Sequence, residues 1–298
     1  MAPEGILLIN KPQGITSHDA VYRLRRLLRT QKIGHTGTLD PDATGLLVIL
    51  AGRAAKAAEY VTADEKTYRC TFILGITTDT QDVTGTVTAR CEKIPGEEDV
   101  LYAVSSFTGE YAQIPPMYSA LKRGGRKLVD LARRGVEIER EPRTVCIRSV
   151  AAEKIGDAEY SMTVTCSKGT YVRTLCDDIG KKLGCGAAMS SLCRLRSGGY
   201  SLDDALTLKQ CEELTYEELC ARLIPTESLF YDLPVLRLPD FYLRLCKNGC
   251  EIYQKKIGTG FGVGERVRLY DEQGFFALGE VGEYDSGDAV KSIKVFRL

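Results

Sequence analysis

The sequence predicts an α/β (α+β) chain: a mixed, largely antiparallel sheet flanked by helices, followed by a small β-rich C-terminal module. Three observations predict it. Helix-like and strand-like stretches follow each other irregularly up to about residue 232. Several of the strand-like ones alternate apolar and polar residues, as a sheet with one solvated face does. Near Leu233-Pro234 the composition shifts, with Pro225, Pro234 and Pro239 punctuating the chain before a run of alternating strands.

Taken in order, Ile6-Leu7-Leu8-Ile9 reads as a short strand, and Thr16 or Ser17 can cap a helix reaching about Thr30 with Val21, Leu24 and Leu28 on one face. The stretch from Gly34 to Gly45 holds three glycines and Asp40-Pro41, the marks of a tight, irregular loop, because glycine enters positive φ freely and proline fixes φ. Leu46 to Leu50 is continuously apolar and predicts a strand buried on both faces. Lys66 to Ile76 and Val83 to Ala89 predict a hairpin joined by the polar Thr77–Asp82 turn. Val100 to Phe107 predicts a helix, Pro115-Pro116 a break, and Leu128 to Ala132 a short helix. Cys146 to Ile155 and Tyr160 to Cys166 alternate like strands, the stretch after Lys168 enters a helix that stops near Gly184, and Leu192 to Arg196 is again strand-like. A helix over Phe241 to Asn248 then precedes strands at Glu265 to Tyr270, Phe275 to Val281 and Val290 to Phe296. The expected division is 1–232 and 233–298, the second part lying in the lower range of domain size.

Composition narrows the chemistry. The 298 residues contain neither a run of eighteen apolar residues nor a basic-then-apolar amino terminus, so a cytoplasmic protein without membrane contact is expected. Eleven cysteines form no Cys-x-x-Cys pair and read as reduced, mostly buried thiols. With only His18 and His35, a histidine-rich zinc site cannot be built, and neither histidine lies near a Gly-x-Ser-x-Gly elbow. The phosphate-binding glycine loop and the dinucleotide fingerprint are absent, so no cofactor and no metal are expected.

Net charge is zero, but its distribution is uneven. Arg23, Arg25, Arg26, Arg29 and Lys32 crowd one predicted helix, where a solvated face competes with a phosphate contact. Lys122 to Arg148 holds nine basic and four acidic residues around Gly124-Gly125, a basic and mobile loop suited to nucleic acid. Ser201 to Asp232 has eight acidic residues against two basic and should face away from it. On local pattern alone Asp40 reads first as a turn opener, since turn-forming aspartates far outnumber catalytic ones.

Five motifs in chain order change that reading: Lys11-Pro12-Gln13-Gly14-Ile15-Thr16-Ser17, the loop Lys32 to Gly45, Asp64-Glu65-Lys66-Thr67-Tyr68, Gly169-Thr170-Tyr171-Val172-Arg173-Thr174-Leu175, and Leu192-Cys193-Arg194-Leu195-Arg196-Ser197-Gly198. Over roughly residues 4 to 232 the chain resembles the bacterial tRNA pseudouridine-55 synthases, the TruB family, and residues 233–298 are similar in position and size to a PUA-like RNA-binding domain. The resemblance implies the pseudouridine synthase type of sheet and an isomerase that flips the uridine at position 55 of the tRNA T loop, breaks its glycosidic bond and rejoins the base through C5. It implies Asp40 as nucleophile, by attack on C1′, by glycal formation or, in an older alternative, by attack on C6. It implies Arg173 as the partner of Asp40, and Tyr68 as the ring stacked on the uracil and a candidate for assisting proton removal. Tyr171 and Leu192 become pocket residues, His35 fills the space the flipped base leaves, and Lys11 shapes the site. The 117–148 segment becomes a mobile basic insertion closing over the T-stem loop. The implied partner is tRNA, bound by a monomer that needs no other protein. The terminal module is only marginally basic, with ten basic and nine acidic residues, so its share of RNA binding is the softer expectation. The alternatives are a guide-RNA-dependent synthase of archaeal or eukaryotic type and a non-catalytic tRNA-binding or folding protein.

Overall fold

A computed structural model of the chain describes residues 3–60, 65–119, 121–132 and 134–297. In chain order the first strands are β1 (Gly5–Lys11), β2 (Ile33–His35), β3 (Thr44–Ala51), β4 (Glu65–Leu74), β5 (Ile76–Thr78), β6 (Val87–Arg90) and β7 (Gly109–Gln113). They are followed by β8 (Lys122–Arg123), β9 (Arg126–Lys127), β10 (Arg143–Lys154), β11 (Glu159–Ser167), β12 (Ala187–Ser197), β13 (Tyr200–Ser201) and β14 (Leu206–Thr207). The helices of this part are α1 (Ser17–Leu27), α2 (Glu97–Ser105), α3 (Leu128–Ala132), α4 (Val172–Leu183), α5 (Leu208–Glu213) and α6 (Tyr216–Ala221). One sheet of ten strands carries the order β14-β1-β3-β12-β4-β11-β10-β7, with β2 paired to β3 and β13 to β12. Its contacts are antiparallel except for β1–β14 and a two-residue parallel meeting of β3 and β12. The predicted fold class is therefore the one observed.

The continuous apolar run works as expected. In β3, Leu47, Ile49 and Ala51 face α1 through Ala20, Val21, Leu24 and Leu28, while Leu46, Val48 and Leu50 join Ile6 and Leu8 on the opposite face. Each such fully buried Leu or Ile contributes about 1.5–3 kcal/mol relative to exposure. Helix α1 is fixed at its start by a capping box between Thr16 and Asp19. Helix α4 packs Val172, Leu175, Cys176 and Ile179 beside Tyr68, Cys70 and Phe72 of β4, and ends on Gly184 with φ +73°.

The predicted hairpin between Lys66–Ile76 and Val83–Ala89 is not formed. Both edges of β4 are taken, by β11 and β12, so no ladder is left for the later segment. At Gly75, with φ +82°, the chain leaves the sheet, and the shorter β5 and β6 pair instead. The intervening loop lies against β12 through a bridge between Asp82 and Met189.

Beyond residue 232 a second sheet contains β15 (Val235–Arg237), β16 (Ile252–Tyr253), β17 (Arg266–Asp271), β18 (Gly274–Tyr284) and β19 (Gly287–Val295), in the order β15-β17-β18-β19-β16, with helices α7 (Asp240–Lys247) and α8 (Gln254–Ile257). Its core is Leu236, Leu238, Cys246, Ile252, Val267, Leu269 and Phe276. Phe230 packs against Phe275 and Phe296, with centroids 6.0 and 5.8 Å away, and Arg268 pairs with Glu227 at 2.7 Å, which seats this sheet on the first. Among the described residues no helix is long and apolar enough to cross a membrane.

Candidate active site

The loop between β2 and β3 is shaped from below. Lys11, fully buried at the end of β1, directs its ammonium to the carbonyls of Pro12 (2.9 Å), Ile15 (2.7 Å) and Pro41 (3.1 Å). Burial pushes the Lys11 pKa down, with Asp42 and Asp19 opposing that shift. The Gly14 amide also donates to Pro41 (2.9 Å), and Ser17 Oγ is bonded to both the amide (2.9 Å) and the carbonyl (3.1 Å) of Leu39. Asp40 is thus pinned on both sides, while its own carboxylate stays outside these contacts. At the far end of the loop Gly45 has φ +100°, and a Cβ there would collide with the Arg194 backbone, so only glycine lets β3 approach β12 this closely.

Arg173, in the first turn of α4, reaches Asp40 with Nη2 and Asp82 Oδ2 with Nη1 (3.3 Å). Its side chain is 9% exposed, and burial lowers its pKa. A guanidinium held between two carboxylates fixes their orientation. The three residues line a cleft of about 300 Å³ with Pro41, Ala43, Tyr118, Met189 and Leu192. That volume lies at the lower end of the range for small-ligand sites. Part of the cleft wall is hydroxylated: Thr71 Oγ1 is 2.5 Å from Ser190 Oγ and 2.7 Å from Ser191 Oγ.

The other sequence-singled residues are placed unevenly. Leu192 lines the cleft and is half-buried. Tyr68, on β4, is buried in the same apolar cluster as Leu39 and Ala43 but is not among the cleft-lining residues. Burial raises its pKa, while the charge of Arg194 acts in the opposite direction. Tyr171 occupies the N-cap of α4, half-buried, with its backbone exchanging hydrogen bonds with the Gln113 amide at 2.8 and 3.1 Å. It too lies outside the cleft lining. His35 sits on β2, where burial, then the Arg194 charge, lowers its pKa and keeps the ring neutral. Of the basic 117–148 segment, Tyr118 and Val129 reach the cleft.

Sequence reasoning missed Asp82, which fell within a supposed turn. Its Oδ1 accepts from Thr80 Oγ1 (2.8 Å), the Thr84 amide (3.1 Å) and Thr84 Oγ1 (2.5 Å). The threonine spacing around this aspartate was the available signal, since such residues hydrogen-bond locally in loops. Gln81, with φ +65°, was also missed; it accepts from Thr174 Oγ1 (2.7 Å) and donates to Asp177 Oδ2 (3.0 Å), tying the loop to α4.

Residues 25–172 match the model of the TruB family pseudouridylate synthase N-terminal domain, and residues 173–231 that of the tRNA pseudouridylate synthase B C-terminal domain. The chain is 42% identical over 296 residues to tRNA pseudouridine synthase B of Alkaliphilus oremlandii, covering 99% of this chain and 98% of that one. It is 44% identical over 269 residues to the protein so named in Clostridium kluyveri, covering 90% and 92%. Among solved structures, a chain in a Cbf5-Nop10-Gar1 complex superposes with a TM-score of 0.74 at 25% identity, covering 99% of this chain and 85% of that one.

Proposed function

The chain belongs to the TruB family and is a tRNA pseudouridine synthase, an isomerase; on that premise we propose that it acts on the T-loop uridine at position 55, with Asp40 as the nucleophile. In the isomerisation the bond between uracil N1 and ribose C1′ breaks, a bond between C5 and C1′ forms, and the C5 proton is lost while N1 gains one. No atom is gained or lost overall, so a nucleophile, proton transfer and positioning suffice.

The observation that carries this reading is the ion pair between Asp40 and Arg173 at the edge of the cleft. The guanidinium aims the carboxylate while leaving it accessible to a flipped nucleotide. Leu192 offers an apolar wall to the base, Tyr68 and Tyr171 border it, and neutral His35 stands at the flank of the loop where a flat ring can replace lost stacking. Lys11 acts through the loop backbone rather than on the substrate. Residues 117–148 close over the T-stem loop, since sequence-specific RNA readers favour loops whose bases can be splayed out. Residues 1–232 carry the chemistry and residues 233–298, PUA-like, grip the tRNA elsewhere. The enzyme works in the cytoplasm as a monomer with no cofactor and no obligatory protein partner. A guide-RNA-dependent mode has weaker support, because the likeness to a chain in an H/ACA RNP structure is only 23% identical.

The test is tritium release from tRNA labelled at uridine C5. Wild-type enzyme should release label from position 55 and from an isolated T-arm hairpin, and Asp40→Asn should release none while still binding tRNA. No release by wild type at stoichiometric enzyme sinks the site assignment, and release by the variant at the wild-type rate removes Asp40 from its role.

A further inference from the structure

Arg194 is 2% exposed, and among the described residues it has no ion-pair partner. An unpaired buried guanidinium is costly unless its donors are satisfied, and replacing it with an apolar side chain would ordinarily be neutral or stabilising. Here the donors go to the two sides of the Asp40 loop, one to its first limb and one to the strand β3 that follows it. Nε donates to the Leu46 carbonyl (2.6 Å), after Asp40, and Nη2 to the Gly37 carbonyl (3.1 Å), before it. Arg194 is also the register partner of Gly45 on β3 and of Tyr68 on β4.

We propose that Arg194 is a positioning residue for the isomerisation, a clamp that holds the two flanks of the Asp40 loop in one fixed relation. The planar fork is what the task needs, since its rigidly spaced donors fix the angle between the segments they hold, whereas an ammonium's three donors turn about one centre. The proposal rests on the reading that Asp40 meets the uridine. Removing the clamp leaves every group that touches RNA in place and frees the loop to drift, and a misplacement near 1 Å can lower a rate by about a hundredfold.

Two variants test it. Arg194→Lys keeps the charge but not the fork. Gly37→Ala leaves Arg194 intact and perturbs it from outside, because the added Cβ would lie 3.3 Å from Nη1, at a position that needs no left-handed backbone. Single-turnover tritium release, tRNA affinity by filter binding and melting temperature are measured for each. Arg194→Lys should lose about a hundredfold in rate and Gly37→Ala a smaller factor, with affinity within about twofold of wild type. Rates within about threefold of wild type, or affinity falling in step with rate, would overturn the proposal. If Arg194→Lys melts below the assay temperature, Gly37→Ala decides alone. Asp40→Asn runs alongside: if it is active the site assignment itself falls, and if it is inactive while Arg194→Lys is normal only the clamp falls.

Discussion

Two loops each present an aspartate to Arg173, and they do so in opposite ways. Asp40 is 46% exposed, and Arg173 is its one side-chain partner among the described residues. Asp82 is 15% exposed and spends one oxygen on Thr80 and Thr84, the other on Arg173. A carboxylate saturated by hydrogen bonds is a poor nucleophile and a good anchor. One that keeps a free oxygen at the edge of a cleft can react. The pair divides the labour: Asp82 holds the guanidinium, and the guanidinium holds Asp40.

The division can be broken at several points. The largest effect is expected for Asp40→Asn, at least about a thousandfold in single-turnover rate with tRNA binding retained. Arg173→Lys comes next, with a loss of about a hundredfold or more, because an ammonium cannot bridge both carboxylates with the same planar geometry. Asp82→Asn should lower the rate about 10- to 100-fold through Arg173, as loss of an orienting partner does elsewhere. If Asp82→Asn proved as damaging as Asp40→Asn, the two aspartates would be equals and the contrast wrong. Thr84→Val should cost about 1 kcal/mol of stability, read from denaturant midpoints, and change the rate only a few-fold.

The smallest effect lies far from the site and concerns an aspartate with no chemistry to do. Asp271, at the end of β17, is bonded by Lys247 (2.7 Å) and Arg297 (2.5 Å). Burial alone would raise its pKa, but these partners bring it down to about 2. A group whose folded pKa is depressed contributes stability above its unfolded value and loses it as pH falls through the folded one. The C-terminal sheet should therefore lose this contribution between about pH 4 and pH 2. Asp271→Asn should flatten that part of the acid-unfolding curve, followed by circular dichroism.

Much of this was legible in the chain. The capped helix α1, the doubly buried β3, the α4 helix ending at Gly184 and the strands of the second sheet all follow from periodicity and turn chemistry, which are local. Asp40, Arg173 and Leu192 were legible because they sit in motifs, and the fold brings all three to one cleft. The Lys66–Ala89 hairpin was misread because an alternating segment followed by a turn and another such segment satisfies every local rule. That β4 has both edges occupied is decided by strands about a hundred residues later. Asp82 escaped notice because its neighbourhood, Thr80 to Thr84, looks like any polar turn, and Arg194 because a charge in a strand ordinarily points to solvent.

The sequence alone determined the element types, the chain order of the motifs and the shape of the loop around Asp40, since all of these rest on φ preferences and short-range periodicity. The tertiary structure decided which carboxylate is free and which is spent. Arg173 lies 133 residues from Asp40 and 91 from Asp82, and Arg194 holds a carbonyl 148 residues away. A side chain's reactivity depends on its remaining hydration and on how many hydrogen bonds it already makes. Both are sums over neighbours that only the folded chain brings together.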